Sequence, residues 1–131
     1  MRILIVDDHA DSRIILRKTL ESDGYTVMTA SNGAEALKAA RELLPDMIIS
    51  DILMPVMDGF RLCREIRQDK QLCKIPFVFY TATYMDPKDE RLAMSLGASR
   101  YIIKPADTAE FIRTIKGVFQ EYKKKKLPLK T

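Results

Sequence analysis

Short runs of apolar residues alternate along this chain with longer segments in which apolar residues recur every three or four positions. The short runs are typical of strands that are buried on both faces of a parallel sheet, and the longer segments are typical of helices that bury one side. The pattern predicts five strands, over residues 3–6, 25–29, 47–49, 77–81 and 100–103. A helix is expected after each strand, which gives five β-α units.

Turn and capping residues indicate where the helices begin and end. We expect Ser12 to cap the first helix, and Asp86, followed by Pro87, to cap the fourth. Gly97 is expected to end the fourth helix in a left-handed conformation. The other signals are Asp23-Gly24 at the end of the first helix, Asn32-Gly33 and Pro45 around the second, the spacing of Phe60, Cys63 and Ile66 in the third, and the apolar positions from Phe111 to Tyr122 in the fifth.

This alternation predicts an α/β fold in which five parallel strands form a doubly wound sheet with helices on both faces, a three-layer α/β/α sandwich. Binding sites in such sheets lie outside the carboxyl ends of the strands. Asp7 and Asp8 follow the first strand, Asp51 follows the third, Thr81 ends the fourth and Lys104 follows the fifth. We therefore expect these polar residues to converge at one edge of the sheet.

The composition fits one soluble globular domain, because 47% of the 131 residues are apolar and 31% are charged. The net charge of +4 is unevenly distributed, since five of the 22 basic residues are lysines of the segment 123–131. The rest of the chain has 17 basic residues against 18 acidic ones. We predict a domain over residues 1–122 and a lysine-rich tail, or the start of a linker, over residues 123–131. Both a free-standing regulator and the first domain of a longer protein agree with this pattern, and we favour the longer protein.

The cysteines and the longest uncharged segment bear on where the protein resides. Cys63 and Cys73 are too few for a disulfide framework and do not match a metal-binding spacing, so we expect reduced thiols. The longest uncharged run, residues 75–85, is shorter than the ~18 residues of a membrane helix. The first residues lack the features of a signal peptide. These observations predict a cytoplasmic protein that makes no membrane contact.

Three carboxylates at one edge of a sheet repel one another and require a counter-charge. The expected ligand atoms are all oxygens, without histidine or thiolate, so Mg²⁺ fits this site better than zinc. Lys104 and Thr81 would supply a positive charge and a hydroxyl, which suit the oxygens of a phosphoryl group. The sequence has no glycine-rich phosphate loop, so a nucleotide is not the evident donor. A carboxylate can itself accept a phosphoryl group, and Asp51 is the central candidate.

Four segments spread over the chain carry a family resemblance. They are IVDDH with Asp7 and Asp8, SDILMPVMDG with Asp51, Pro55, Asp58 and Gly59, YTAT with Thr81, and IIKP with Lys104 and Pro105. Through them, residues 2–122 resemble the receiver domains of two-component response regulators, a family that includes the single-domain chemotaxis regulator. The resemblance implies a flavodoxin-like sheet with the strand order 2-1-3-4-5.

The resemblance also implies a role for each residue of the expected site. Asp51 would accept a phosphoryl group from a phosphohistidine of a partner protein. Asp8, Asp51 and the backbone carbonyl of Leu53 would bind Mg²⁺, and Asp7 would hold a metal-bound water. Such a receiver is a signalling protein rather than an enzyme, although it catalyses its own phosphorylation and dephosphorylation.

The remaining implied roles concern the phosphoryl oxygens and a conformational switch. Lys104 would pair with one phosphoryl oxygen, and a cis peptide bond to Pro105 would aim its side chain. Thr81 would hydrogen-bond another oxygen and move toward the phosphoryl group. Tyr101 occupies the position of the aromatic residue that turns inward in the active state.

The partners are implied by the same resemblance. A sensor histidine kinase or a phosphotransfer protein would donate the phosphoryl group. The fourth helix, the fifth strand and the fifth helix would form the surface for a downstream effector, a kinase module or a second copy of the domain. The segment SRYIIKP lacks the acid before the aromatic residue that is associated with winged-helix DNA-binding regulators, so no direct contact with nucleic acid is expected.

Two other functions agree with part of the site. A phosphatase or phosphotransferase of the haloacid dehalogenase type also uses an aspartate, Mg²⁺, a threonine and a lysine, but it requires a second aspartate where this chain has Leu53. A receiver that serves only as a constitutive interaction module would not need all five polar residues that are present here.

Three further residues lie close to the predicted site. Leu53 and Thr83 stand two positions beyond Asp51 and Thr81, where the family varies and where access of water to the acyl phosphate is controlled. Because Leu53 is apolar, we expect a long-lived phosphorylated state. His9 is expected in the loop before the first helix, rather than as a phosphoryl donor or a metal ligand.

Overall fold

The computed structural model describes residues 1–82 and 86–126 of the chain, with the side chains of residues 125 and 126 left out. Five parallel strands form one sheet in the order β2-β1-β3-β4-β5. The elements along the chain are β1 (Arg2–Val6), α1 (Ala10–Ser22), β2 (Thr26–Ala30), α2 (Gly33–Leu43), β3 (Met47–Ser50), α3 (Gly59–Gln68), β4 (Phe77–Thr81), α4 (Pro87–Ser95), β5 (Arg100–Ile103) and α5 (Thr108–Lys126). The predicted fold class and strand order are confirmed.

The core has two halves because successive strand residues point to opposite faces of the sheet. Leu4 and Val6 of β1 belong to one buried cluster, which also contains residues of α2, α3 and α4. Ile3 and Ile5 belong to the other cluster, which contains residues of α1 and α5. The continuous apolar runs in the sequence therefore reflect strands with helices against both faces.

Most of the predicted helix boundaries are confirmed by capping geometry. The Asn32 side chain accepts a hydrogen bond from the Glu35 backbone N–H at the start of α2. The Asp86 side chain accepts one from the Lys88 N–H, and Pro87 is the first residue of α4. Gly97 has a φ of +100°, as expected for a residue that follows a helix in the left-handed conformation.

The predicted cap of the first helix is wrong. Helix α1 begins at Ala10, with His9 at the N-cap position, so Ser12 lies within the first turn. The Asp7 carboxylate accepts a hydrogen bond from the His9 backbone N–H at 2.9 Å. A side chain at the strand end thus orders the turn into α1, and the helix begins before a serine cap is needed.

The strand register brings the ends of the central strands together. Val6 of β1 pairs with Ser50 of β3, and Asp7 and Asp51 directly follow these two residues. Thr81 of β4 pairs with Ile103 of β5, which directly precedes Lys104. The predicted site residues on four strands therefore share the carboxyl edge of the sheet.

None of the helices within residues 1–82 and 86–126 combines the length and the apolar character that a membrane-crossing helix requires.

We predict opposite changes in the free energy of unfolding when two helical glycines, Gly59 and Gly117, are replaced by alanine. A Cβ atom at Gly59 would overlap the Asp51 carbonyl oxygen and lie 2.9 Å from the Ile52 Cα atom, whereas a Cβ at Gly117 would meet no atom within 4 Å. We expect Gly59→Ala to lower the free energy of unfolding by about 2 kcal/mol or more. We expect Gly117→Ala to raise it by about 0.5–1 kcal/mol. Urea denaturation of both variants tests this, and a Gly59→Ala variant as stable as the wild type would contradict the close approach.

Candidate functional site

Asp7 is held from several sides at the end of β1. Its side chain is 3% exposed, and its Oδ1 atom accepts the His9 backbone N–H. The Arg13 guanidinium donates to the Asp7 backbone carbonyl at 2.6 Å. The carboxylate is therefore fixed by its neighbours in the turn, while Asp8, the next residue, is exposed to solvent.

Asp51 lies beside Asp7 because its backbone N–H continues the pairing of β3 with β1. This N–H donates to the Val6 carbonyl at 2.9 Å. The Asp51 Oδ1 atom accepts the Ile52 N–H at 2.7 Å, and the side chain is 7% exposed. The hydroxyl of Ser50 donates to the Asp51 carbonyl at 2.6 Å. Both the backbone and one carboxylate oxygen are thus engaged, which leaves Oδ2 directed toward Lys104.

Lys104 reaches both carboxylates from the end of β5. Its Nζ atom lies 2.7 Å from Asp7 Oδ2 and 3.5 Å from Asp51 Oδ2. Its backbone N–H donates to the Thr81 carbonyl at 2.8 Å, and the peptide bond to Pro105 is cis, as the resemblance implies. The lysine therefore connects the fifth strand to the ends of β1 and β3.

The environment of Lys104 keeps its ammonium group charged. Burial acts to lower the pKa of Lys104, but the hydrogen bond to Asp7 and the charges of Asp51 and Asp7 outweigh this effect. The pKa of Lys104 consequently lies above its ordinary value, and the side chain carries a positive charge at neutral pH.

Four side chains form an acidic cluster at this edge, which we define as Asp7, Asp8, His9 and Asp51. One potential ligand atom from each lies within 4.8 Å of the others. Three carboxylates face a single lysine, so the cluster retains excess negative charge. Carboxylate oxygens in this number suit a hard divalent cation such as Mg²⁺. The residues present therefore fit a magnesium ion.

The prediction that the potential ligand atoms are all oxygens leaves out one nitrogen, because His9 lies in the cluster. The His9 Nδ1 atom lies 3.1 Å from Asp8 Oδ1 and 3.3 Å from Asp7 Oδ1. His9 does lie between β1 and α1, as predicted, and its imidazole is 71% exposed. Because His9 directly follows two acids at a helix start, its ring can reach back over both of them.

The other predicted residues lie around this cluster at different depths. Thr81 is fully buried at the end of β4. Tyr101 is half-buried on β5 and packs near Phe79, with ring centroids 6.2 Å apart. The side chain of Leu53 is 53% exposed in the loop that follows Asp51. Thr83 falls outside the described residues.

One residue beside the site was missed by the sequence reasoning. The Tyr80 ring centroid lies 5.2 Å from Lys104 Nζ. In the sequence, Tyr80 has no feature that distinguishes it from the other residues of the predicted strand 77–81. Its position next to Thr81 at a strand end, on the opposite face, is the signal that could have identified it.

Comparison with known proteins gives a consistent result. Residues 3–116 match the family described as "Response regulator receiver domain". The chain is 40% identical over 123 residues to a probable transcriptional regulator, ycf27, of Guillardia theta. The alignment covers 94% of this chain and 47% of that protein. It is 37% identical over 119 residues to the alkaline phosphatase synthesis transcriptional regulatory protein PhoP of Bacillus subtilis. That alignment covers 91% of this chain and 48% of the relative. The chain spans about half the length of these two relatives.

A solved structure agrees with these matches. The chemotaxis response regulator CheY4 of Vibrio cholerae superposes with a TM-score of 0.83 at 33% sequence identity. The superposition covers 89% of this chain and 97% of that one.

Proposed function

This chain belongs to the response regulator receiver family, and from that membership we propose that Asp51 accepts a phosphoryl group in a two-component phosphorelay. Receiver domains of this family are signalling modules. The observation that carries the proposal is the approach of the Lys104 ammonium to both Asp7 and Asp51 at the carboxyl edge of the sheet. In this arrangement the nucleophilic carboxylate of Asp51 lies close to further acids and to the Lys104 cation.

The proposed transfer uses Asp51 Oδ2, the carboxylate oxygen that lies on the side of Lys104. Oδ2 attacks the phosphorus of a phosphohistidine, and the P–N bond breaks. The bonding electron pair stays on the imidazole, which is neutral after transfer because its other nitrogen carries a proton. The fixed hydrogen bond from Ile52 to Oδ1 holds the carboxylate in one orientation for this attack.

Charge neutralisation is the main requirement of such a transfer. Asp8, Asp51 and the Leu53 carbonyl would hold Mg²⁺, with Asp7 contributing through a water. When bound, Mg²⁺ supplies positive charge against the phosphoryl oxygens and the carboxylates. Lys104 would shift from Asp7 toward one phosphoryl oxygen, and the Thr81 hydroxyl would donate to another. The same groups would stabilise attack by water on phosphorus, so that the chain catalyses both its phosphorylation and its dephosphorylation.

The donor would approach over a groove that includes residues of the site. The groove has a volume of about 270 Å³ and lies between α1 and the start of α5, and Asp7 and Lys104 belong to its lining. Ile15 of α1 lines it and is 65% exposed. Ile14, the preceding residue of α1, is 52% exposed, and neighbouring exposed apolar side chains beside a reactive centre suit a protein partner. We assign this groove to the histidine kinase or phosphotransfer protein that carries the phosphohistidine.

Phosphorylation of Asp51 would change a surface of the domain that differs from the donor groove. Phosphorylation would draw Thr81 toward the phosphoryl group and turn Tyr101 inward, which alters the surface of α4, β5 and α5. That surface would bind a downstream effector, a kinase module or a second copy of the domain, without direct nucleic-acid contact. Such a relay would operate in the cytoplasm.

The domain boundary remains a prediction. Helix α5 runs through Lys126, so the first lysines of the segment 123–131 are helical, and residues 127–131 lie outside the described part of the chain. We propose a receiver body over residues 1–122 with a lysine-rich extension over residues 123–131.

Phosphorylation by a small donor tests the assignment of Asp51. We expect incubation with acetyl phosphate and Mg²⁺ to add the mass of one phosphoryl group to the intact protein, because the site supplies the catalytic groups itself. The Asp51→Asn variant should show no addition. The absence of a mass shift in the wild type near neutral pH would refute the proposed function. An unchanged mass shift in Asp51→Asn would refute the assignment of Asp51 as the phosphoryl acceptor.

The lifetime of the phosphorylated state tests the role of Leu53. A polar side chain at this exposed position would guide water toward the acyl phosphate, so Leu53→Asn should lose the phosphoryl mass several-fold faster than the wild type. The decay is followed by intact mass after the donor has been removed. Leu53→Met is the matched control, since it keeps an apolar side chain of similar volume. Equal decay rates in all three proteins would contradict this role.

A further inference from the structure

The ammonium group of Lys104 lies between two kinds of partner. The carboxylates of Asp7 and Asp51 approach it at 2.7 and 3.5 Å. The ring of Tyr80 approaches it with a centroid distance of 5.2 Å, which is within the range of a cation–π contact. Lys104 thus has an aromatic contact in addition to its ion pairs.

The Tyr80 ring is held in place by a neighbour on α5. It packs against the Phe111 ring with a centroid distance of 4.8 Å and an interplanar angle of 33°. Phe111 is 3% exposed and belongs to the buried cluster on that side of the sheet. The Tyr80 ring therefore provides a fixed surface that the flexible side chain of Lys104 can contact.

Lys104 needs such a surface because its side chain has four rotatable carbon–carbon bonds. Two acids already compete for the ammonium group, and the shorter contact is with Asp7 rather than with the proposed acceptor Asp51. A contact from the aromatic side restricts the positions that the ammonium group can occupy. The ring face adds no oxygen acceptor that would compete with the carboxylates for the N–H donors of Lys104.

We propose that Tyr80 is a positioning residue for phosphoryl transfer, which holds the Lys104 ammonium group beside Asp51 through the face of its ring. The proposal rests on the proposed function of Asp51 and Lys104. The ring face makes the contact, so the Tyr80 hydroxyl is dispensable and phenylalanine can replace tyrosine.

The test is the rate of phosphorylation by phosphoramidate with Mg²⁺, followed by intact mass. In this reaction an Asp51 oxygen bonds to phosphorus, the P–N bond breaks, and the already protonated nitrogen leaves as ammonia with the electron pair. A small donor does not need the groove that Tyr80 also lines. We expect Tyr80→Phe to retain the wild-type rate within twofold and Tyr80→Leu to be about fivefold slower.

A second background separates positioning from packing. If Tyr80 acts through Lys104, Tyr80→Leu should cause no further loss of rate in a Lys104→Met protein, because the cation is absent. An equal fold-loss in both backgrounds would overturn the proposal, as would a wild-type rate in Tyr80→Leu or a failure of Tyr80→Phe to restore the rate. Failure of the wild type itself to react would instead refute the proposed function.

A spectroscopic measurement is independent of activity. A ring beside the lysine shifts the Lys104 Hε protons upfield in the proton NMR spectrum. We expect that shift in the wild type and in Tyr80→Phe, and its loss in Tyr80→Leu and in Tyr80→Met, which preserves more of the side-chain volume. Unshifted Lys104 protons in the wild type would overturn the proposal.

Discussion

The crowding of three carboxylates at one end of a parallel sheet is the constraint on which the rest of this structure depends. Asp7 and Asp51 are buried there, with Asp8 beside them, and the Lys104 ammonium pairs with both buried carboxylates. Buried charges are tolerated only when they are paired or hydrogen-bonded. Within residues 1–82 and 86–126, every buried side-chain nitrogen or oxygen atom has a hydrogen-bond partner. The described part of the chain thus pairs each of these buried side-chain atoms and still keeps an excess of negative charge at the site.

That excess links the fold to its proposed chemistry. The sheet register fixes Asp7 and Asp51 next to each other, and the turn at Gly59 lies so close to Asp51 that no Cβ fits. A divalent cation and a phosphoryl group would each change the charge balance around Lys104. Because Thr81 and Lys104 are joined by a backbone hydrogen bond, a change at the site bears directly on β4 and β5. A local change of charge can therefore bias the surface formed by α4, β5 and α5.

The sequence predicted the parts of this arrangement that depend on chain direction and periodicity. Asp7, Asp51, Thr81 and Lys104 each stand at a strand end, and parallel strands bring such residues to one edge. The start of α1 was mispredicted because the Asp7 carboxylate, which precedes the helix, binds the His9 backbone N–H and orders the turn, so that the helix begins at Ala10 without a serine cap. Tyr80 was missed because its contact with Lys104 links two strands and depends on side-chain directions. Periodicity alone does not specify such contacts.

The most direct test of the charge constraint is the free energy of unfolding of the wild type and of Asp51→Asn, with and without Mg²⁺. Asparagine preserves the shape and the acceptor for Ile52, so the variant isolates the charge. Without Mg²⁺ we predict that Asp51→Asn is about 1 kcal/mol more stable than the wild type, and that saturating Mg²⁺ reduces or reverses the difference because the wild type binds the ion more tightly. Glu42→Gln removes an exposed charge on α2 and should show no such dependence on Mg²⁺. An Asp51→Asn variant less stable than the wild type in the absence of Mg²⁺ would contradict this account.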